Sequence, residues 1–506
     1  MRGFLASSIG VATAAALALP LALPTPAQAA APSDRTSPAA VAPLAPVTPA
    51  APVAPVAPGG STQSLPLVPL GPSAGRVPGV PGMSASPDLP ETRGLAAHEV
   101  EQFSLVGVVW DDAGTELVGR VQVRTRHAGT SDWSDWQDVE THNGEHAADP
   151  DAVERGSGRV RGSTAPLWVG PSDGIEVRVQ AQTATTPAHA PSRLPSGMRI
   201  ELVDPGAERP ATVPAGAGLD AKNLGALPLP LGPLGPLDLL GPLGDDKGDT
   251  AAALPGMSMS ASESSAANVP LAPLGALEIT ALNKADSTAD AVLAGDGTVD
   301  AAAAPFIGPR PRIVTRRGWG ADENLREPGF VYTSTVKAAF VHHTASGNNY
   351  ACKDAPAVLR SLYRYHVVSA GWRDIGYNFA VDRCGTVYEG RAGGVAKPVL
   401  GAHTMGFNTD SMGIAVIGSY ASATPPKAAV DAVAGLTAWK LGLFGRDPRG
   451  KTSLTSGGGN KFPKGRSVRM NVISGHRDGF ATECPGRRLY DQLPPTRTTS
   501  AKLQGR

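Results

Sequence analysis

The chain has 506 residues, of which 60 are glycine and 48 proline, with only 5% aromatic and 18% charged residues. Length alone would suggest roughly three or four domains, but this composition supplies too few core-forming side chains and argues for fewer domains joined by unfolded stretches. Lys+Arg and Asp+Glu stand at 45 each, a formal charge of +0, which excludes a global basic field for nucleic acid. Three cysteines exclude a disulfide-dense scaffold and leave an odd thiol to explain.

Arg2, an apolar run from Val11 to Leu23, and Ala27-Gln28-Ala29 predict a secretory signal over residues 1–29, cleaved after Ala29. The run is too short and too rich in Ala and Pro to span ~30 Å of hydrocarbon, so no transmembrane anchor is expected. Residues 30–94, Ala/Pro/Val-rich, read as a disordered segment of polyproline character. Residues 95–205 alternate apolar and polar positions, as in Phe103 to Trp110, Val121 to Arg126 and Ile175 to Gln180. Such short period-2 runs predict an all-β, sandwich-like domain. Residues 206–308, with Leu-Pro-Leu-Gly repeats, read as a second disordered Pro/Ala/Gly-rich linker, apolar enough to leave a docking role open.

The last segment, 309–500, mixes strand and helix signals and carries all three cysteines. Ala338 to Thr344 reads as a buried strand ending in paired histidines. A helix starting at Asp354 places Val358, Leu362, Tyr365, His366 and Ser369 on one face. Ile375, Tyr377, Phe379 and Val381 alternate along a strand that turns at Arg383 to Thr386. A strand over 413–418 and a helix over 426–444 follow. The expected architecture is an α/β domain with a mixed central sheet flanked by helices.

His342 ends the buried strand, while His476 and Cys484 lie eight positions apart near the C-terminus. Two imidazoles and a thiolate make three ligands for tetrahedral Zn²⁺ and leave the fourth position to water, the pattern of a catalytic site. Zinc lowers the pKa of such a water to about 7. Cys352 lies just before a helix and Cys384 in a hairpin turn, so these two are the expected disulfide in an exported chain, leaving Cys484 as the ligand. Other pairings, which would consume Cys484, stay open on sequence alone.

Val341-His342-His343-Thr344, Gly371 to Phe379, Tyr388-Glu389-Gly390-Arg391, Gly401-Ala402-His403-Thr404, Ser411-Met412-Gly413-Ile414 and Gly475 to Gly486 occur in that order, after Arg317-Gly318-Trp319-Gly320-Ala321. Over roughly 310–495 the chain resembles the peptidoglycan recognition protein / type 2 N-acetylmuramoyl-L-alanine amidase family. The resemblance implies zinc on His342, His476 and Cys484. It also implies cleavage of the bond between the lactyl group of N-acetylmuramic acid and L-alanine in bacterial peptidoglycan. Tyr377 and Thr482 are its expected catalytic residues, the first able to donate to an oxyanion or orient water. His403, Arg391 and His343 are the expected substrate-facing set. His343 leaves its strand on the face opposite His342, so a supporting or structural role is also open to it.

Three departures limit the carry-over. Thr482 stands where some phage-type relatives have lysine, Ala415 where one subgroup has glutamate, and Ala392-Gly393-Gly394 where animal relatives discriminate stem peptides. No carboxylate is an obvious general base; Glu483 is only a weak candidate, because a side chain adjacent to the cysteine in an extended segment is expected to point the other way. His366 reads as a core histidine, and the basic stretch from Arg449 to Arg469 as a solvated loop. The sequence reading is thus an exported, monomeric zinc amidase whose partner is peptidoglycan, not nucleic acid. The alternatives are a module that binds muropeptides without cutting and an envelope adhesin. Trp110, Trp133, Trp136 and Trp168 make the β domain either a packed spacer or a wall-binding module.

Overall fold

A computed structural model describes residues 59–70, 91–182, 193–207, 257–293 and 304–506. The expected signal segment, most of segment 30–94 and the Leu-Pro-Leu-Gly repeats lie outside the described residues. No helix among the described residues is long and apolar enough to cross a membrane.

The first domain is a single antiparallel sheet of eight strands: β1 (Ser61–Pro66), β2 (Val68–Pro69), β3 (Thr92–Trp110), β4 (Gly119–His127), β5 (Gln137–Val139), β6 (Gly162–Ser163), β7 (Leu167–Ala181) and β8 (Arg199–Asp204). Between β5 and β6 lie a 3-10 turn (Gly144–His146) and a short helix, α1 (Val153–Gly156). The sandwich expected from the alternation is one continuous sheet. Register shifts in the β3–β7 ladder between Leu95 and Leu105 bend these two long strands, so the sheet curls around its own core of Phe103, Val106, Val121, Val177 and Ile200. The domain also starts earlier than position 95. β1 pairs Ser61 with Asp204 and Pro66 with Arg199, so this part of the proline-rich segment adds an edge strand.

From Phe103 to Trp110, β3 is buried on both faces. Leu105 and Val109 turn away from the β core and join Val358, Leu362 and Tyr365 of the second domain in one apolar cluster. Contact is close at Gly107, where a Cβ would lie 2.4 Å from the Tyr365 hydroxyl oxygen. That hydroxyl donates to the carbonyl of Thr164 at 3.0 Å. Residues 56–506 accordingly form one compact unit.

The second domain begins near residue 257, not 309. The composition of 257–293 reads as linker, yet it forms α2 (Met259–Ala266), β9 (Glu278–Ile279) and α3 (Lys284–Leu293). The remaining elements are β10 (Ile313–Val314), α4 (Arg316–Trp319), β11 (Ala338–His343), α5 (Ala355–Arg364), β12 (Phe379–Val381), β13 (Val387–Glu389), β14 (Ser411–Val416) and α6 (Lys427–Leu443). They are followed by β15 (Lys451–Thr455), β16 (Ser467–Asn471), β17 (Ile473–Gly475), α7 (His476–Gly479), α8 (Arg487–Tyr490) and α9 (Leu493–Gln504). The sheet runs β17-β11-β14-β12-β13-β10-β9, mixed in direction as expected.

β11 lies between two parallel neighbours, β14 and β17, and every one of its residues is buried, which explains its unbroken apolar run. α5 continues as a π turn over Tyr365–Ser369, so Tyr365 and His366 stay on the buried face. The strand expected from Ile375 contributes only Phe379–Val381 to the ladder, because the amide of Gly376 bonds His366 Nδ1 and its carbonyl takes the amide of Ala402. The Arg449–Arg469 stretch is not a free loop: most of it belongs to the β15–β16 hairpin, which buries Leu454 and Met470 against Phe340 and Phe407. Arg316, 2% exposed, pairs with Glu323 at 2.7 Å and Asp374 at 3.0 Å and ties α4 to the segment that carries Tyr377.

Candidate metal centre

Register brings the histidines together. Val341 of β11 pairs with Gly475 of β17 in a parallel ladder, so the residues that follow, His342 in β11 and His476 at the start of α7, emerge at adjacent C-terminal ends. That edge is where α/β sheets place their sites. Cys484 returns to it through the loop after α7, fixed by its carbonyl accepting from the amide of Arg477 at 3.0 Å. Its Sγ lies 3.8 Å from His342 Nδ1, and the His342 and His476 rings are 4.6 Å apart.

The fourth side of this cluster is not open. His146, on the 3-10 turn of the β domain, brings a ring nitrogen into the same group. The ligand atoms of His146, His342, His476 and Cys484 all lie within 4.8 Å of one another. Tetrahedral zinc with bonds of about 2.0–2.3 Å needs donors roughly 3.3–3.8 Å apart, a contraction small enough for side-chain adjustment. The fit to a cation shows in the hydrogen bonding: both ring nitrogens of His146 are buried without a partner, and those of His476 have none at good hydrogen-bond geometry, only the Glu145 backbone lying near. Burial holds His342 and His146 well below the usual imidazole value and His476 at about 3, so the three rings are neutral and offer lone pairs. Burial also pushes the Cys484 thiol well up, and a bound cation is what would bring it down to thiolate.

Around this cluster, His342 Nε2 lies 3.4 Å from Thr404 Oγ1, leaving Nδ1 directed at the sulfur. Tyr377 sits with its ring 5.5 Å from that of His342, and burial, Cys484 and Glu145 push its phenol well above the usual range. Thr482 donates to Glu145 Oε1 at 3.0 Å and accepts from the amide of Cys484 at 3.1 Å. His403 is fully buried behind His342, near the Thr404 and Ser411 hydroxyls. It packs so closely on Gly413 that a Cβ there would meet the ring at 2.4 Å, which accounts for glycine in that motif. His343 leaves β11 on the other face, where its Nδ1 accepts from the amide of Tyr420 at 3.2 Å. Arg391 is buried and makes a two-pronged ion pair, 3.0 Å on each prong, with Glu154 of α1. Glu483 points outward and pairs with Arg477 at 2.6 Å. Cys352 and Cys384 form a disulfide, and Cys484 is free and buried.

Sequence reasoning missed His146, Glu145 and Glu154. They lie some 190 or more positions before the groups they meet, in a stretch with no periodicity, and nothing local marks them. Of the β-domain tryptophans, Trp110 and Trp168 are buried in apolar clusters. Trp133 and Trp136 are half-buried under the guanidinium of Arg124, with Arg178 also 4.0 Å over Trp136.

A buried set of three histidines and one cysteine, able to hold a metal ion, stands at the C-terminal edge of the mixed sheet of an α/β domain. Residues 332–487 match the N-acetylmuramoyl-L-alanine amidase family, and residues 52–196 match a family described as Rv3811 N-terminal galactose-binding domain-like. The chain is 31% identical over 183 residues to peptidoglycan-recognition protein SC2 of Drosophila simulans, covering 36% of this chain and 84% of that protein. It is 33% identical over 187 residues to the human N-acetylmuramoyl-L-alanine amidase, covering 36% of this chain but 28% of the human one. The chain therefore belongs, through its C-terminal domain, to the family of peptidoglycan recognition proteins and N-acetylmuramoyl-L-alanine amidases. Among solved structures, wild-type Drosophila PGRP-LB matches at 27% identity with a TM-score of 0.29, covering 36% of this chain and 92% of that one.

Proposed function

We propose that the chain is an exported, zinc-dependent N-acetylmuramoyl-L-alanine amidase acting on bacterial cell-wall peptidoglycan. The observation that carries this reading is the donor set itself: neutral, buried imidazoles of His342 and His476, the latter with no partner at good hydrogen-bond geometry, beside the thiol of Cys484. Zn²⁺ held there would supply Lewis acidity toward the amide carbonyl and activation of a water. Thr404 fixes the orientation of His342. Tyr377 stays protonated because its phenol pKa is raised, so it can donate to the oxygen that becomes negative as the carbonyl is attacked. As the oxygen of the attacking water bonds to the carbonyl carbon, the amide C–N bond breaks, and a proton shed by that water leaves with the amine of the stem peptide. The Arg316 network keeps the segment bearing Tyr377 in place.

The competing reading, a module that binds muropeptides without cutting, is disfavoured by the presence of Cys484, without which the donor set loses its only thiolate and falls to imidazoles alone. The test is incubation of the purified chain with sacculi, with and without chelator, read by mass spectrometry. Free stem peptide released only in the zinc-loaded sample supports the amidase; muropeptide binding with no release even at high enzyme concentration and prolonged incubation, from the wild type and from His146→Ala alike, leaves recognition.

A further inference from the structure

A catalytic centre with three protein ligands keeps a place for water, whereas here a fourth donor comes from the other domain. His146 is 5% exposed, His342 and His476 are 0% and Cys484 is 3%, so the cluster has almost no contact with solvent. The His146 ring is 4.5 Å from that of His476 and 5.3 Å from that of His342. A buried imidazole with neither nitrogen satisfied is costly unless one of them meets a cation.

The chain around His146 is held at the same face by five further contacts. Glu145 accepts from Thr482 through its side chain and from the amide of Met405 through its carbonyl, both within 3.0 Å. Asp149 takes the amide of Gly406 and the Asn408 side chain, each at 2.7 Å. Glu154 places both carboxylate oxygens on Arg391, the arginine that the sequence reading assigns to substrate. One segment thus occupies the metal cluster, the expected catalytic threonine and the expected substrate arginine together. On Arg391 it presents the group, a carboxylate, that an acidic stem peptide would present.

We propose that His146 is the fourth ligand of the metal centre and that Gly144–Gly156 is an internal plug, so that the docked β domain holds the amidase latent. The proposal rests on the metalloamidase reading above. Activation is a ligand exchange: the neutral His146 imidazole leaves, a water takes its place, and Arg391 is released to bind substrate carboxylate. The fraction of molecules with the segment displaced sets the apparent activity.

The test uses the full chain loaded with Co²⁺ and titrated with azide, with the visible d–d bands as the readout. In the wild type the bands are expected to stay unchanged as azide is added. In His146→Ala they are expected to shift, with the thiolate charge-transfer band retained as evidence that Cys484 still binds. Glu154→Gln, which leaves every metal donor in place, is expected to give a partial azide response. Peptidoglycan hydrolysis by zinc-loaded His146→Ala is expected to exceed the wild type by at least roughly tenfold. An azide-responsive wild type, or a His146→Ala protein that binds cobalt yet loses hydrolysis, overturns the plug and leaves the amidase reading intact. Folded wild type and variant that both fail to take up cobalt overturn the metalloamidase reading and this one with it.

Discussion

Replacing Cys352 and Cys384 together by serine removes a link that closes a loop of sequence separation 32 between the approach to α5 and the turn after β12. Chain entropy for a loop of that length corresponds to about 3.7 kcal/mol at 25 °C. Little else should change in the folded state. Cys384 is exposed and Cys352 only half-buried, so no core cavity opens. The turn keeps its other fastenings, with Asp382 accepting from the amides of Cys384 and Thr386 at 2.8 and 2.9 Å and Arg383 donating to the carbonyl of Tyr350 at 3.0 Å. The loss therefore resides in the unfolded chain, and the slope of the denaturant transition is expected to rise as that chain expands. Urea unfolding with intrinsic tryptophan fluorescence measures both quantities. Thiol labelling under denaturing, non-reducing, chelated conditions should find one reactive cysteine in the wild type. A stability change below about 1 kcal/mol, or three labelled thiols, would refute the entropic account.

Three further outcomes are expected. Tyr377→Phe should lower hydrolysis by about 10²–10³-fold while zinc content stays the same; lost zinc would assign the ring to packing. Arg316→Met should destabilise by about 3–5 kcal/mol, since Glu323 and Asp374 stay buried with their shared guanidinium gone; a midpoint within error of the wild type in urea would contradict it. His366 stacks on Trp372 at 4.3 Å, and burial, with Arg391 nearby, lowers its pKa to about 3. The unfolded chain takes up this proton near pH 6.5 and the folded chain does not, so its contribution is complete above pH 6.5 and declines toward pH 3, by at most about 1.4 kcal/mol per pH unit. His366→Gln should reduce the acid slope by about that amount, and an unchanged slope would show that the ring protonates in place.

What the sequence makes legible follows from how locally each feature is encoded. β11 and α6 are visible because a strand buried on both faces and a 17-residue helix leave long patterns. His342, His476 and Cys484 are visible because each stands in a local sequence motif. Residues 257–293 are not. Small and polar residues there resemble linker, and their order comes from distant partners: Asn268 donating to Glu389 at 2.8 Å, Glu263 pairing with Arg326 at 2.7 Å, and β9 pairing with β10. The single curled sheet is equally invisible to alternation, which reports a half-buried strand without its neighbours. His146 belongs to the same class, since only the docking of one domain on the other gives it a role.

The edge of the second sheet sets the limits within which the C-terminal domain can be handled as a separate piece. A fragment trimmed to the family match, 332–487, would discard β9 and β10, and with them α4 and its buried Arg316. It would also lose α9, whose Gln504 donates to the carbonyl of Ala438 on α6 at 3.0 Å. β13 would become a bare margin with unpaired amides and carbonyls, an invitation to strand-to-strand association between copies. An excised domain that stays monomeric in the test tube has to begin near Met257 and run through the last turn of α9.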